Sequence, residues 1–290
     1  MKTGCIIGNG FQNMQKMDEL IRHFEELFKK HGCDIRVIKS DKAYACMQKN
    51  GKIGLCGVEK ADFILFWDKD VILARALEKA GYKLYNSASA IEICDNKVAT
   101  HLFLSNCGIR MPKTIPSPLI FEGSDIDADR VLERAEACLD YPFIIKEAYG
   151  SFGQQVYLCR SREEARQLVL KLKYKPFLFQ EFISESAGKD IRIFVVGGKV
   201  VASMLRTNDH DFRANVSNGG RMSPIDPPDD FKEMAIKAAE LIGLDYCGVD
   251  ILIGKDGPLL CEVNSNAHFK NIRICTGIDV AEHFVKHILK

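Results

Sequence analysis

No stretch of this 290-residue sequence comes near the ~20 uninterrupted apolar residues that a membrane-spanning helix needs. Nor does the opening MKTGCIIGNG hold the apolar core and small-residue cleavage site of a secretion signal. An excess of one charge is missing as well. Lys and Arg number 40 against 39 Asp and Glu, so no net field draws the chain to nucleic acid or to an anionic membrane. The eleven cysteines include no CxxC pair and no close Cys/His cluster, which argues against a zinc site and a disulfide framework. They read instead as small buried hydrophobes in a reducing compartment, and the expectation is a cytoplasmic protein. Two phosphate-binding fingerprints also fail. GxGxxG, begun at Gly8-Asn9-Gly10, needs glycine where Asn13 stands, and the later glycine-bearing loop does not open a helix as a Walker loop must.

What is present suffices for more than one core: 47% of the residues are hydrophobic and 27% charged. Leu20, Ile21, Phe24, Leu27 and Phe28 recur at helical spacing, and His31-Gly32 supplies the stop. Strands are expected at Cys5–Gly8, Asp34–Ile38, Asp62–Trp67 and Leu84-Tyr85, with Asp70 capping a helix that runs to Ala80. That β-α-β rhythm predicts an α/β fold opening on a parallel sheet. From Ser87 the pattern changes. Ser87 or Ser89 should cap one helix through about Cys107, ended by Gly108. Further helices are expected at Arg130–Leu139, Arg162–Leu172, Phe231–Ile242 and from Val280. Hairpins are expected from Phe143–Lys146 with Val156–Cys159, Ile191–Val196 with Val200–Leu205, and Gly248–Ile253 with Pro258–Val263, and Phe177–Phe182 reads as a further strand.

Three constellations carry chemistry. Glu262 and Asn264 lie two apart on a strand and so share a face, and a hairpin sets Asp250 opposite them. Two carboxylates and an amide oxygen suit Mg²⁺; the plain alternative is an exposed polar sheet face. Lys146 ends a strand before the loop Gly150-Ser151-Phe152-Gly153, an arrangement able to hold phosphate, against the alternative of a surface lysine before an ordinary hairpin. Lys97 sits on a helix, where a solvated lysine is the simpler reading. Asp190 and Arg192 precede a buried strand and would serve equally as a plain ion pair.

In order, the chain carries NSASAIEICDNKVATHLFL, PFIIKEAYGSFGQQV, FQEFI, GKDIRIFVVGGKVVASMLR, DFRANVSNGG, DYCGVDIL, PLLCEVNSN and TGIDVAEH. These motifs resemble the RimK-type branch of the ATP-grasp superfamily, strongly over roughly positions 85–290, with the first 84 residues alike only in rhythm. The resemblance implies a pre-ATP-grasp domain at 1–88, then two α+β subdomains, 89–178 and 179–290, that clamp ATP between them. It implies ATP and Mg²⁺, or Mn²⁺ in its place, as cofactors. Lys97 and Lys146 would neutralise phosphates under the loop of Gly150, Ser151 and Gly153. Glu181 and Phe182 would form the adenine hinge, and Asp190 would hold the ribose. Arg213 and Asn215 would reach the triphosphate and acyl phosphate, with Arg192 and Arg206 binding carboxylate or acyl phosphate. Asp250, Glu262 and Asn264 would ligate Mg²⁺.

The implied reaction joins a carboxylate to an amine through an acyl phosphate. It adds an amino acid such as glutamate to a small-molecule carboxylate, a peptide or a protein C-terminus, with no nucleic-acid or membrane partner and with a homo-oligomer left open. A non-catalytic ATP-binding regulator and a small dipeptide ligase are the alternatives. One departure stands out. Where RimK-like enzymes continue Asn-Ala-Ser-Pro-Gly, this chain reads Asn264-Ser265-Asn266-Ala267-His268-Phe269-Lys270-Asn271, closer to the LysX branch. Lys270 is therefore expected near an acidic second substrate, with a solvated loop lysine as its alternative, while His210 and His268 read as ordinary polar residues more readily than as proton acceptors.

Overall fold

The computed structural model describes residues 2–11 and 15–290; Asn13, where the dinucleotide fingerprint fails, lies outside the described residues. The chain opens with β1 (Thr3–Gly8), buried almost throughout, and α1 (Gln15–Lys30), whose buried face is the predicted set of Leu20, Ile21, Phe24, Leu27 and Phe28. There follow β2 (Asp34–Lys39), the hairpin β3 (Tyr44–Met47) and β4 (Ile53–Cys56), β5 (Phe63–Trp67), α2 (Val71–Lys79) with Asp70 as its cap, and β6 (Leu84–Tyr85). The first sheet has the order β2-β1-β5-β6 and is parallel throughout, as the rhythm predicts. The chain leaves β1 for β2 on one side and returns to β5 on the other. The order therefore reverses between β1 and β5, where an open parallel sheet leaves a crevice at its carboxyl ends.

The single helix expected from Ser87 to about Cys107 is two. α3 (Ala88–Asp95) stops at Asn96, which adopts φ −105° and ψ 109° and caps α4 (Lys97–Leu104). The Asn96 side-chain oxygen accepts from the backbone N–H of Val98 at 3.0 Å and of Ala99 at 3.2 Å. An asparagine that satisfies two such groups competes well with continued helix. The break sets Lys97 at the first position of α4.

A second sheet is built from β7 (Thr114–Pro116), β8 (Phe143–Glu147), β9 (Val156–Cys159) and β10 (Phe177–Glu181), in the antiparallel order β7-β10-β8-β9. It packs on α5 (Ala128–Glu136) and α6 (Arg162–Leu172), whose Leu132 and Val169 share a core with Phe143, Ile145, Phe177 and Phe179. Alternation along β8 leaves Ile144 and Lys146 for the other face.

The third sheet joins β11 (Lys189–Val196), β12 (Lys199–Thr207), β13 (Arg221–Pro224), β14 (Tyr246–Gly254) and β15 (Gly257–Asn264) in the antiparallel order β13-β12-β11-β14-β15. Gly197 and Gly198 turn β11 into β12 with φ of 54° and 72°, a left-handed pair that glycine adopts without strain. α7 (Asp229–Ile242) covers one side, while α8 (Lys270–Thr276) and α9 (Val280–Leu289) reach the first sheet. There Phe24 and Trp67 pack with Tyr246, Phe269 and Phe284 in one aromatic core. Not every cysteine is a buried hydrophobe: Cys5, Cys94 and Cys247 are buried, whereas Cys46, Cys56 and Cys138 are exposed.

Candidate functional site

The period-two alternation of the third sheet gathers a set of charges on one face. Asp190 and Arg192 lie two apart on β11; across the ladder, Asp190 faces Arg206 on β12 and Arg192 faces Asp250 on β14. Asp250 in turn faces Glu262 on β15, with Asn264 two residues beyond. The pairing is tight. Arg206 donates to both Asp190 oxygens at 2.6 Å, Arg192 donates to both Asp250 oxygens at 2.6 Å, and Arg206 also approaches Asp250 at 3.0 Å. Burial favours the neutral acid of Asp250, but the two guanidinium groups outweigh it and bring the carboxyl down to about 2. The plain ion pair weighed for Asp190 and Arg192 is thus a crossed quartet, in which each finds its partner on the neighbouring strand and not in the other.

Facing this sheet across a cavity of about 630 Å³ are β8, the loop after it and α4. Lys146 and Lys97 are both buried, so neither is the solvated lysine of the simpler reading. Lys97 Nζ donates to the Gly150 carbonyl oxygen at 3.0 Å and stands 3.6 Å from Glu262. Lys146 Nζ has the Cys261 sulfur at 3.5 Å. The glycine loop is held down from the opposite side: Arg213 Nη1 donates to Gly153 O at 2.6 Å, while its remaining donors grip Asp211. Gly153 has φ +71°, and a Cβ there would fall 2.6 Å from Asn215 Oδ1, so the close approach needs glycine. Glu181 and Phe182 line the far end, and Ser151 the loop.

Every residue singled out from the sequence as catalytic, nucleotide-binding or metal-binding lines this one cavity. Lys270 does not. It begins α8 on the surface and pairs with Glu19 of α1 at 2.7 Å, because the helix turns its side chain away from the segment that follows Asn264. Ser265, Asn266, Ala267 and His268 of that segment do line the cavity, and the His268 ring packs edge-on against Phe152 at 5.6 Å. Burial first, then Arg192, Lys69 and Lys16, lower its imidazole to about 4.

Sequence reasoning passed over the wall contributed by the first sheet. Asn9, Trp67 and Asp68 line the same cavity, beside Asn266 of the segment after Asn264, which was expected near the second substrate. Among the described residues, buried polar atoms without a partner include Trp67 Nε1, Asp68 Oδ2, Gln155 Oε1 and Asn264 Nδ2, all in its lining. Such atoms are rare in folded proteins and concentrate where a ligand completes them. The signal was available: Asp68 follows DFILFW at the carboxyl end of a parallel strand, the edge where open α/β sheets bind ligands.

The RimK-like ATP-grasp domain matches residues 94–288. The chain belongs to that family. N-acetylaspartylglutamate synthase A of Homo sapiens is 35% identical over 73% of this chain and 54% of its own length. Beta-citrylglutamate synthase B of Danio rerio is 36% identical over 74% of this chain and 52% of its own length. The chain thus spans about half the length of these curated relatives. The fold is also that of a RimK domain ATP-grasp protein from Sphaerobacter thermophilus, with a TM-score of 0.73 at 18% identity, covering 99% of this chain and all of the other. None of the described helices is long and apolar enough to cross a membrane.

Proposed function

We propose that this RimK-like protein is an ATP-dependent ligase that activates a carboxylate as its acyl phosphate and transfers the acyl group to an amine. The observation that carries the reading is the cavity itself, with two buried lysines on one wall and Glu262 and Asn264 on the other. Among the described residues no carboxylate pairs with Lys146, and a buried unpaired ammonium calls for an anion. In this reading Lys97, Lys146 and Arg213 take the phosphates, and the Gly150–Gly153 loop and Asn215 cover them. Glu181 and Phe182 present backbone to the adenine. Asp190 meets the ribose with lone pairs left over from Arg206, since a carboxylate accepts about four hydrogen bonds.

The donor set fits Mg²⁺, with Mn²⁺ as a substitute. Glu262 and Asn264 have oxygens to give, whereas both Asp250 oxygens are engaged by arginines. One or two carboxylates plus phosphate oxygens is the usual way that Mg²⁺ is held. Bound there, the ion would offset charge on the transferring phosphoryl group. This chain's own part is to place the reactants, supply fixed positive charge and keep water from the acyl phosphate. The relatives' names support glutamate as the amine and a small carboxylate as the acyl donor, with a peptide or a protein C-terminus as the alternative donors.

The test is trapping with hydroxylamine. The protein with ATP and Mg²⁺ is offered citrate, N-acetyl-L-aspartate and peptides ending in glutamate, and hydroxamate is measured alongside ADP. One hydroxamate per ADP is the expected result; neither product across the panel overturns the ligase reading. The engagement of Asp250 by two arginines favours a rival, a protein that binds ATP without turning it over, and the same assay separates the two.

A further inference from the structure

The cavity continues past Asn264 to the carboxyl ends of β1 and β5. Gly8 and Trp67 are paired across those strands, so the next residues, Asn9 and Asp68, emerge side by side at the point where the strand order reverses. Asp68 is only 6% exposed. Its Oδ1 is fully used, accepting from Asn9 Nδ2 at 3.0 Å and from the Lys69 backbone N–H at 2.7 Å. Its backbone carbonyl accepts from Asn266 Nδ2 at 2.9 Å. Oδ2 is buried and accepts from no donor among the described residues. Two nearby cations are committed elsewhere, Lys69 to Asp95 and Arg192 to Asp250, and no cation among the described residues pairs with Asp68.

A carboxylate fixed so firmly through one oxygen, with the other buried in the lining of the cavity and unpartnered among the described residues, lacks an N–H donor or a cation. Its place says which. Asn266 and His268 belong to the segment leaving β15 directly after Glu262 and Asn264, so this wall adjoins the position where the acyl phosphate is made. The group that must arrive there is the amine. His268 lines the wall as a further acceptor.

Resting on the ligase reading above, we propose that Asp68 anchors the amine substrate. Its Oδ2 receives the amino group of an incoming amino acid, while Asn9 and Asn266 hold the carboxylate in place. The assignment is a binding role and leaves the path of the amine proton to other groups.

The test uses L-glutamate and glutarate, which differ by the amino group alone. Both are titrated calorimetrically into the protein saturated with ADP and Mg²⁺. Glutamate is expected to bind at least about tenfold more tightly than glutarate, and Asp68→Asn to bring the two within about twofold, as loss of a charge-assisted bond should. Equal binding in the unaltered protein, or discrimination retained by a folded Asp68→Asn, overturns the anchor. Should that variant fail to fold, a crystal of the unaltered protein with ADP, Mg²⁺ and L-glutamate decides: an amino nitrogen within hydrogen-bond distance of Asp68 Oδ2 supports the anchor, and one placed elsewhere overturns it. Hydroxamate formation without discrimination sinks the anchor alone, and discrimination without hydroxamate sinks the ligase reading alone.

Discussion

Two carboxylates at opposite ends of one cavity are treated in opposite ways. Asp250 has both oxygens engaged by Arg192 and Arg206, within a sheet whose register sets Asp190 against Arg206 and Arg192 against Asp250. Asp68 has one oxygen filled and the other bare. The quartet around Asp250 is complete before anything binds, so its charges fix the shape and potential of the cavity. The Asp68 wall is incomplete, and a ligand has to finish it. A buried ionic group is thus no sign of function until its partners have been counted.

The sharpest way to break the quartet is Arg206→Met, which strands Asp190 in the interior and takes one of Asp250's two arginines. Removing one member of a buried ionic set costs about 3–5 kcal/mol, so urea denaturation should show a loss of that size or no folded protein. Glu262→Gln leaves the quartet alone and removes a charged ligand for the ion. Turnover should fall on the order of a hundredfold or more while the urea midpoint holds. Lys146→Ala should weaken ATP binding by about 1.5–3 kcal/mol in calorimetry, the worth of a charge-assisted hydrogen bond.

His101, beneath Lys146, tests the burial on that side. Burial first, and then Lys146, lower its imidazole from 6.5 to about 4. The unfolded chain takes up the proton near 6.5 and the folded one only near 4. Stability is therefore whole above 6.5 and declines as the pH falls toward 4. From this residue the loss between pH 7 and 5 should be about 1–2 kcal/mol, and His101→Asn should flatten the decline. The smallest effect is expected from Lys270→Ala: an exposed pair with Glu19, away from the cavity, leaves KM for every substrate unchanged.

Legibility followed the range of the interactions. α6 lies at the predicted Arg162–Leu172, because Ser161 caps it and its buried face recurs within the helix itself. The Glu262–Asn264 spacing needed only strand periodicity to set both residues on one face. The break at Asn96 was written in a cap residue but lost within an otherwise apolar helical run. The β3–β4 hairpin went unread although Asn50-Gly51, a strong turn signal, lies at its tip. The facing of Lys270 and the partners of Asp68, though not Asp68's place at a strand end, were beyond reach for a different reason. Which way a residue faces at the end of an element depends on what packs there, and α1 and β1 are about 250 and 60 residues away from them in sequence.

The three sheets do not share their apolar interiors evenly. The first and third are sewn together by Phe24, Trp67, Tyr246 and Phe284, while the second, β7-β10-β8-β9, keeps a separate core with its own two helices. Mechanically this makes a fixed frame and a single jaw. The jaw's main apolar core is its own, whereas prising the frame apart would open its aromatic centre. Lys146 and the glycine loop ride on the jaw; Glu262, Asn264 and Asp68 stand on the frame. Any swing of the jaw therefore carries the phosphate-side cations toward or away from a stationary row of oxygens.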